Sequence, residues 1–253
     1  MPVAIITGAS RGLGRALAEQ LAGRGWALVV DGRDAAALRS AAAGLERTAS
    51  EAAGGTGHTG GTGGTGRGAG RVAAVPGDVA DPAHRAELVA AAERLGGVDL
   101  LVNNASALGA EPLVPLAELS PEGLREALEV NVVAPLALVQ AALPALRAAG
   151  GAVLNVSSDA AVEAYPEWGG YGASKAALDQ LSAVLAVEEP GVRVWAVDPG
   201  DLRTALYAAA VPDDPDFAER PLPEQVAPVL LRLLDAGGGG GPAASGRYTA
   251  EGL

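Results

Sequence analysis

A single lysine, Lys175, stands among the 18 basic residues of this 253-residue chain, four positions after Tyr171 in the stretch YGASK. On a helix that spacing places both side chains on one face. A phenol titrates near ~10 in water, which makes it a poor proton donor or acceptor at neutral pH. A neighbouring ammonium favours the phenolate and lowers that value toward the working range. Lysine suits the task better than arginine, because it is a compact charge with three donors that can also reach the hydroxyls of a bound ribose. The plainer reading is a core tyrosine with its hydroxyl at the edge and a solvated lysine beside it.

A second constellation lies at the amino terminus, where VAIIT runs into TGASRGLG with glycines at 8, 12 and 14. Glycine at a strand exit permits a sharp turn, and glycine at a helix start lets a pyrophosphate approach the N–H groups at the positive end of the helix. Nucleotide binding is therefore expected. The four asparagines, Asn103, Asn104, Asn131 and Asn155, all lie at or beside predicted strand ends or helix positions close to such motifs. Asparagine also tolerates unusual backbone angles, so strand ends attract it for that reason alone.

Positioning these residues requires an alternation of short apolar runs and longer helical segments. The predicted strands are 3–7, 27–31, 71–75, 98–102, 152–156 and 192–197. The predicted helices lie near 13–23, 35–53, 82–95, 121–148 and 171–188, with Ser120 as N-cap of the fourth and Pro121 at its first position. The β-α rhythm implies an α/β fold, a doubly wound parallel sheet of Rossmann type in a single domain over residues 1–253, with helices on both faces. Gly8, Asn103, Ser158 and Pro199 then all fall just past the carboxyl ends of parallel strands, the edge at which such sheets bind ligands. Two tracts fit no element, a glycine-rich insertion at 54–70 and the run 237–241. Both are expected to be flexible, and His58 within the first to be solvated.

Composition removes several function classes. The net charge of −12 without a basic run argues against nucleic acid as a partner. No cysteine is present, which excludes disulfides and thiolate sites, and His58 and His84 are too few and too distant to form a metal cluster. The amino terminus lacks the basic start and long apolar core of a signal peptide, and the apolar stretch 132–146 is broken by Pro135, Gln140 and Pro144. A soluble, cytoplasmic protein with no membrane partner is expected. Helices 121–148 and 171–188 are apolar on more than one face, which predicts a homodimer, with a homotetramer left open.

From Val3 to about Thr204 the chain resembles the short-chain dehydrogenase/reductase (SDR) family. The resemblance rests on TGASRGLG, Asp78 in GDV, NNA at 103–105, Asn131 in VNVV, Ser158 in NVSS thirteen positions before Tyr171, the Tyr171/Lys175 pair, and PGDLRT at 199–204. It implies a carbonyl reduced to an alcohol, or the reverse, by hydride transfer with a nicotinamide. Tyr171 would protonate the substrate oxygen and Ser158 would hydrogen-bond it. Asn131 would hold a helix irregularity and a water linking Lys175 to solvent. The dinucleotide would contact Gly8, Ser10, Arg11, Gly12, Leu13 and Gly14 in the first turn and Asp78 and Val79 after the third strand. Further contacts would come from Asn104 and Ala105, from Tyr171 and Lys175, and from Pro199, Gly200 and Thr204.

The family's acidic ribose-binding position falls on Gly32, with Arg33 next to it and Arg11 in the turn, which favours NADP(H) over NAD(H). Asp31 is one residue from a place where it would repel a 2′-phosphate. The segment 201–226 has the character of a substrate loop, with Trp168, Tyr207 and Phe217 as pocket candidates. Two departures stand out. Ser106 replaces a usual glycine after NNA, and SGRYTAEGL ends the chain without the final strand many relatives use to build tetramers. An NAD-linked alcohol dehydrogenase is the competing enzyme reading. A non-catalytic NADP(H)-sensing or scaffold protein is the alternative of another class, and a complete proton-donor set argues against it.

Overall fold

The computed structural model describes residues 1–54, 71–235 and 243–253. The tract 55–70, with His58, and the run 237–241 lie outside them, while Gly54 closes a helix. Seven parallel strands form one sheet in the order β3-β2-β1-β4-β5-β6-β7. They are β1 (Val3–Ile6), β2 (Ala27–Gly32), β3 (Val72–Pro76), β4 (Leu100–Asn103), β5 (Ala152–Val156), β6 (Arg193–Asp198) and β7 (Gly246–Thr249). The first six match the predicted runs to within two residues at each end. The order reverses between β1 and β4, and a crevice opens at that switch point.

Strands covered on both faces must be apolar throughout, and alternate residues serve opposite cores. Ala4, Ile6, Leu28 and Val30 pack with α1 (Gly12–Gly23), α2 (Ala35–Gly54) and α8 (Pro223–Leu230). Val3, Ile5, Val29 and Leu101 pack with α3 (Pro82–Leu95) and α5 (Ala134–Ala149). A short α7 (Ala205–Ala210) and the long α6 (Gly169–Glu188) complete the helices named here.

The structure corrects the sequence reading at the carboxyl terminus and adds detail in two further places. The carboxyl-terminal segment does contain a strand: β7 pairs with β6 in the register Trp195↔Gly246 to Asp198↔Thr249. Four residues beginning with glycine carry too little pattern to announce it. The buried Trp195 indole N–H donates to the Ala244 carbonyl at 3.0 Å and anchors the approach to that strand. The helix predicted at 121–148 is interrupted. Its amino-terminal part, α4 (Pro121–Leu128), starts with Ser120 accepting from the Gly123 N–H as expected. A wider π-type turn then covers Glu129–Val133 before α5. The segment 201–226, expected as a substrate loop, holds α7 and the start of α8. By length and composition alone Pro121–Ala149 could cross a membrane, with a third of its most apolar window buried inside the fold.

Helix α1 approaches the sheet edge so closely that Gly14 has no room for a side chain. A Cβ there would lie 2.4 Å from Asn104 Nδ2 and 2.6 Å from the Gly8 carbonyl oxygen, and backbone cannot yield as a side-chain tip can. Gly14→Ala is expected to lower stability by about 2 kcal/mol or more, measured as a fall in the urea midpoint at unchanged slope.

Candidate active site

The carboxyl ends of β1, β2, β4, β5 and β6 open onto one cleft of about 430 Å³, a size suited to a small molecule beside part of a larger ligand. Every residue expected to meet a dinucleotide lines this cleft except Gly14, which packs behind the turn.

The first turn is built by hydrogen bonds from the neighbouring strand exit. Thr7 Oγ1 accepts from the N–H groups of Asn104 at 2.9 Å and Ala105 at 3.0 Å. The Asn104 amide in turn donates to the Thr7 carbonyl at 2.8 Å and the Gly8 carbonyl at 3.3 Å. Gly8 and Gly12 take φ values of +66° and +58°, the left-handed region that favours glycine. A Cβ on Gly12 would meet only the Thr204 side chain, 3.7 Å away. Helix α1 starts with no side-chain cap and no acidic residue in its first turn. Its first N–H groups therefore face the cleft as donors for an anion, and the turn fits a pyrophosphate.

The ribose end is equally specific. Asp31 is buried at 1% exposure, accepts from the Gly8 N–H at 2.5 Å, and faces His84 Nε2 at 3.1 Å. Burial raises its carboxyl above the ordinary value, against the pull of those two partners. It braces the turn through the Gly8 N–H while lining the cleft. Asp34 accepts from the N–H groups of Ala36 and Ala37 at the start of α2, and these bonds hold its carboxyl below the usual range. Gly32 has no side chain, and a Cβ there would come within 3.0 Å of Ser10. Arg33 and Arg11 are exposed on the cleft wall, and neither forms an ion pair among the described residues. Asp78 accepts from the Ala80 N–H at 2.9 Å, so it caps a turn while lining the cleft.

At the far end lie Tyr171 and Lys175, 7% and 2% exposed. They sit at the base of α6, whose opening residues Gly170 and Gly172 allow close approach to Leu119 and the Ala160 carbonyl. The Lys175 Nζ lies 5.4 Å from the centre of the Tyr171 ring, and both groups face the same cleft. Lys175 donates to the Val156 carbonyl at 2.8 Å, and burial lowers its pKa from 10.5 to about 8. Burial pushes the Tyr171 phenol well above its ordinary value, with the Asp198 and Asp159 carboxylates adding to the rise. The sequence reading, with the ammonium as the dominant influence on the phenol, is thus incomplete. Ser106 is the side chain whose hydrogen bonding opposes that rise.

Ser158 lines the cleft too, but its hydroxyl donates to Asp159 Oδ1 at 3.0 Å and accepts from the Ala160 N–H at 3.2 Å. Asn131 occupies the π-type turn, which matches the irregularity implied by the family resemblance. Its Oδ1 accepts from the Ala107 N–H at 2.9 Å and the Ser106 hydroxyl at 3.1 Å. Its Nδ2 donates to the Ala107 carbonyl and to Ser174 Oγ, each at 2.8 Å. All four positions of the amide are used by protein groups. Asn103 and Asn155 stay out of the cleft: Asn103 donates to Asn155 and Asn155 to Ser182, tying β4 and β5 to α6.

Sequence reasoning missed Arg247 on β7, whose guanidinium donates to Asp179 at 2.9 Å and to the Ser158 carbonyl at 3.0 Å. Finding it would have required recognising β7. Trp168 meets the Tyr171 ring edge-on at 5.5 Å, and Tyr207 stacks on Phe217 at 6.3 Å. Among the described residues no group of acidic or histidine side chains could hold a metal.

Comparison with known proteins adds the following. A sequence model described as short chain dehydrogenase matches residues 2–57 and 63–215. An uncharacterized oxidoreductase of Saccharomyces cerevisiae is 38% identical over 133 residues, 52% of this chain, so the match spans about half the length of that relative (52%). L-fucose dehydrogenase of Mus musculus is 32% identical over 219 residues, 84% of this chain and 70% of the relative. Among solved structures, an alcohol dehydrogenase from the archaeon Thermococcus sibiricus complexed with 5-hydroxy-NADP superposes with a TM-score of 0.80 at 29% identity, covering 98% of this chain and 95% of the other.

The buried ammonium has a consequence for stability. Because its pKa is about 8 in the fold and 10.5 ordinarily, the unfolded chain binds the extra proton between those values. The cost of burial is full below the lower value and disappears above the higher, so Lys175 makes stability rise with pH across that window. Replacing it by methionine should stabilise the protein by about 1–3 kcal/mol at neutral pH, less the unpaired Val156 carbonyl. The advantage should shrink as chemical denaturation is repeated toward pH ~10.5.

Proposed function

The chain belongs to the short-chain dehydrogenase family of oxidoreductases, and from its cleft we propose that it uses NADP(H) to reduce a small ketone or aldehyde to an alcohol, or to run the reverse. The observation that carries this reading is the burial of Tyr171 and Lys175 side by side in the cleft whose other end is the anion-ready glycine turn. The bound nicotinamide would supply or accept the hydride. The N–H groups of the α1 start would hold the pyrophosphate, with Thr204 closing over Gly12. Tyr171 keeps its proton in a buried setting that favours the neutral phenol, the form needed to protonate a carbonyl oxygen. In the reverse direction the same phenol must first ionise. Ser158 would turn its hydroxyl from Asp159 toward that oxygen, orienting it for Tyr171.

Preference for NADP(H) is supported by Arg33 and Arg11 on the wall, by the bare Gly32, and by the commitment of Asp31 and Asp34 to backbone N–H groups. Both Asp31 oxygens are engaged, by the Gly8 N–H and by His84, whereas Asp34 engages only its Oδ1, at the start of α2. The NADP derivative bound by the archaeal relative points the same way. The substrate end combines apolar Leu108, Trp168, Leu206 and Ala210 with acidic Glu111, Asp159 and Asp201, which suits a carbonyl compound without negative charge. The exposed apolar residues Val133, Leu136, Val184 and Val187 on α5 and α6 and the adjoining turn support a homodimer covering this face with a second copy.

Tyr171→Phe is expected to bind NADPH with unchanged affinity, read by cofactor fluorescence, while its reduction rate across a panel of small ketones and diketones falls at least ~10³-fold. Rates equal to wild type would remove Tyr171 from this role. Arg33→Ala should weaken NADPH binding about tenfold with NADH unaffected. Equal loss for both cofactors would contradict the 2′-phosphate assignment.

A further inference from the structure

His84 belongs to none of the motifs that mark the cleft, yet the structure joins it to the end of β2, beside Gly32 and Arg33. Asp81 caps α3 by accepting from the Ala83 N–H at 2.9 Å, and Pro82 opens the helix, so His84 stands in its first turn. Arg85 ties that turn to the loop after β3 by donating to the Val79 carbonyl at 2.6 Å. The imidazole lies over Gly77, where any Cβ would collide with the ring. There it meets Asp31: Nε2 is 3.1 Å from Oδ2, and the two residues are 5% and 1% exposed.

The place of Asp31 makes that contact consequential. It adjoins Gly32 on a strand end where a carboxylate that accepts ribose hydroxyls favours NAD(H) and an unmasked negative charge repels a 2′-phosphate. Asp31 Oδ1 is taken by the Gly8 N–H at 2.5 Å, so Oδ2 is the oxygen left to act on a ligand. An ionised carboxylate only accepts, and the imidazole therefore donates to Oδ2. We propose that His84 is a specificity-determining residue for the dinucleotide, whose ring occupies Asp31 Oδ2 and so withholds the strand-end carboxylate from ribose hydroxyls and from a 2′-phosphate. This rests on the proposed use of NADP(H) and assigns to it a residue on α3, behind the cleft wall.

The other groups around Asp31 do not replace this contact. Burial raises its carboxyl and Asp78, after β3, adds to the rise, while His84 and the Gly8 N–H oppose it. Arg11 and Arg33 line the same cleft, and among the described residues neither pairs with Asp31. With His84 holding Asp31, both guanidiniums stay available to a phosphate.

The test measures NADPH and NADH affinities by isothermal titration calorimetry, without turnover, for wild type, His84→Leu, His84→Gln, Asp31→Asn and the double variant with leucine at 84 and asparagine at 31. Leucine fills a comparable volume without a donor, whereas the glutamine amide can donate from near the place of Nε2. A second donor-free variant, His84→Met, keeps the comparison open if leucine disturbs packing. The expected result for His84→Leu is a fall of about tenfold in the ratio of NADPH to NADH affinity, with His84→Gln restoring the wild-type ratio. Asparagine at 31 keeps an acceptor for the Gly8 N–H and removes the charge, so adding His84→Leu to Asp31→Asn should leave its ratio unchanged. A merely structural role for His84 would weaken both cofactors alike and lower the urea midpoint without moving the ratio. An unchanged ratio in the donor-free variants, a glutamine variant that behaves like leucine, or a further fall in the Asp31→Asn background overturns the proposal. Wild type binding NADH more tightly than NADPH would instead sink the cofactor reading. In that case a ratio that still falls in His84→Leu upholds the His84 contact, and one that stays fixed refutes it.

Discussion

A buried amide is costly wherever one of its hydrogen-bonding positions goes unpaired, and Asn131 leaves none unpaired. Its four bonds join chain segments that are distant in sequence: the exit of β4, the interrupted helix that carries it, and the base of α6. The π-type turn is what brings this side chain to the right place, since a regular helix would rotate the residues beyond it relative to those before it. The relative placement of Tyr171, Ser174, Ser106 and Ala107 follows from this one junction. Because both donors and both acceptor positions are taken, a change of Asn131 would release several groups at once, and their losses would not add independently.

Much of this was legible in the chain. The run of apolar segments gave six strands in nearly their observed positions, because each β-strand here is buried on both faces and must be continuous in hydrophobicity. The Tyr171/Lys175 pair was legible because helical spacing converts a four-residue separation into a shared face. Gly8, Gly12 and Gly14 were legible as a turn, although only the structure separates their tasks. The first two supply backbone angles, and the third makes space for Asn104. β7 was not legible, since GRYT is short and gains its meaning only by pairing with β6. The role of Asp31 was also hidden, because its partner His84 lies on α3, 53 residues away. Ser106 showed itself only as an exception to a family pattern, and its bond to Asn131 Oδ1 is visible only in the structure.

The electrostatics of the cleft run opposite to a simple picture in which one ammonium commands one phenol. Lys175 is itself desolvated and spends a hydrogen bond on the Val156 carbonyl, so its charge is shared with the strand end that carries Ser157 and Ser158. Two carboxylates beyond the phenol oppose it. Arg247 moderates this acidic neighbourhood, pairing with Asp179 one turn along α6 from Lys175 and lying 3.8 Å from Asp198. The last strand of the sheet, absent from the sequence reading, is thus part of the charge balance at the cleft as well as its edge.

The crowding at Gly32 bears on how such a binding edge could be re-tuned. A Cβ at position 32 would lie 3.0 Å from Ser10 Cβ and Oγ, so the serine side chain would have to give way. An acidic group introduced there would be displaced toward solvent unless the residue at 10 were reduced at the same time. Positions 10 and 32 therefore share one small volume at this edge, and a side chain gained at one has to be matched by a shift at the other.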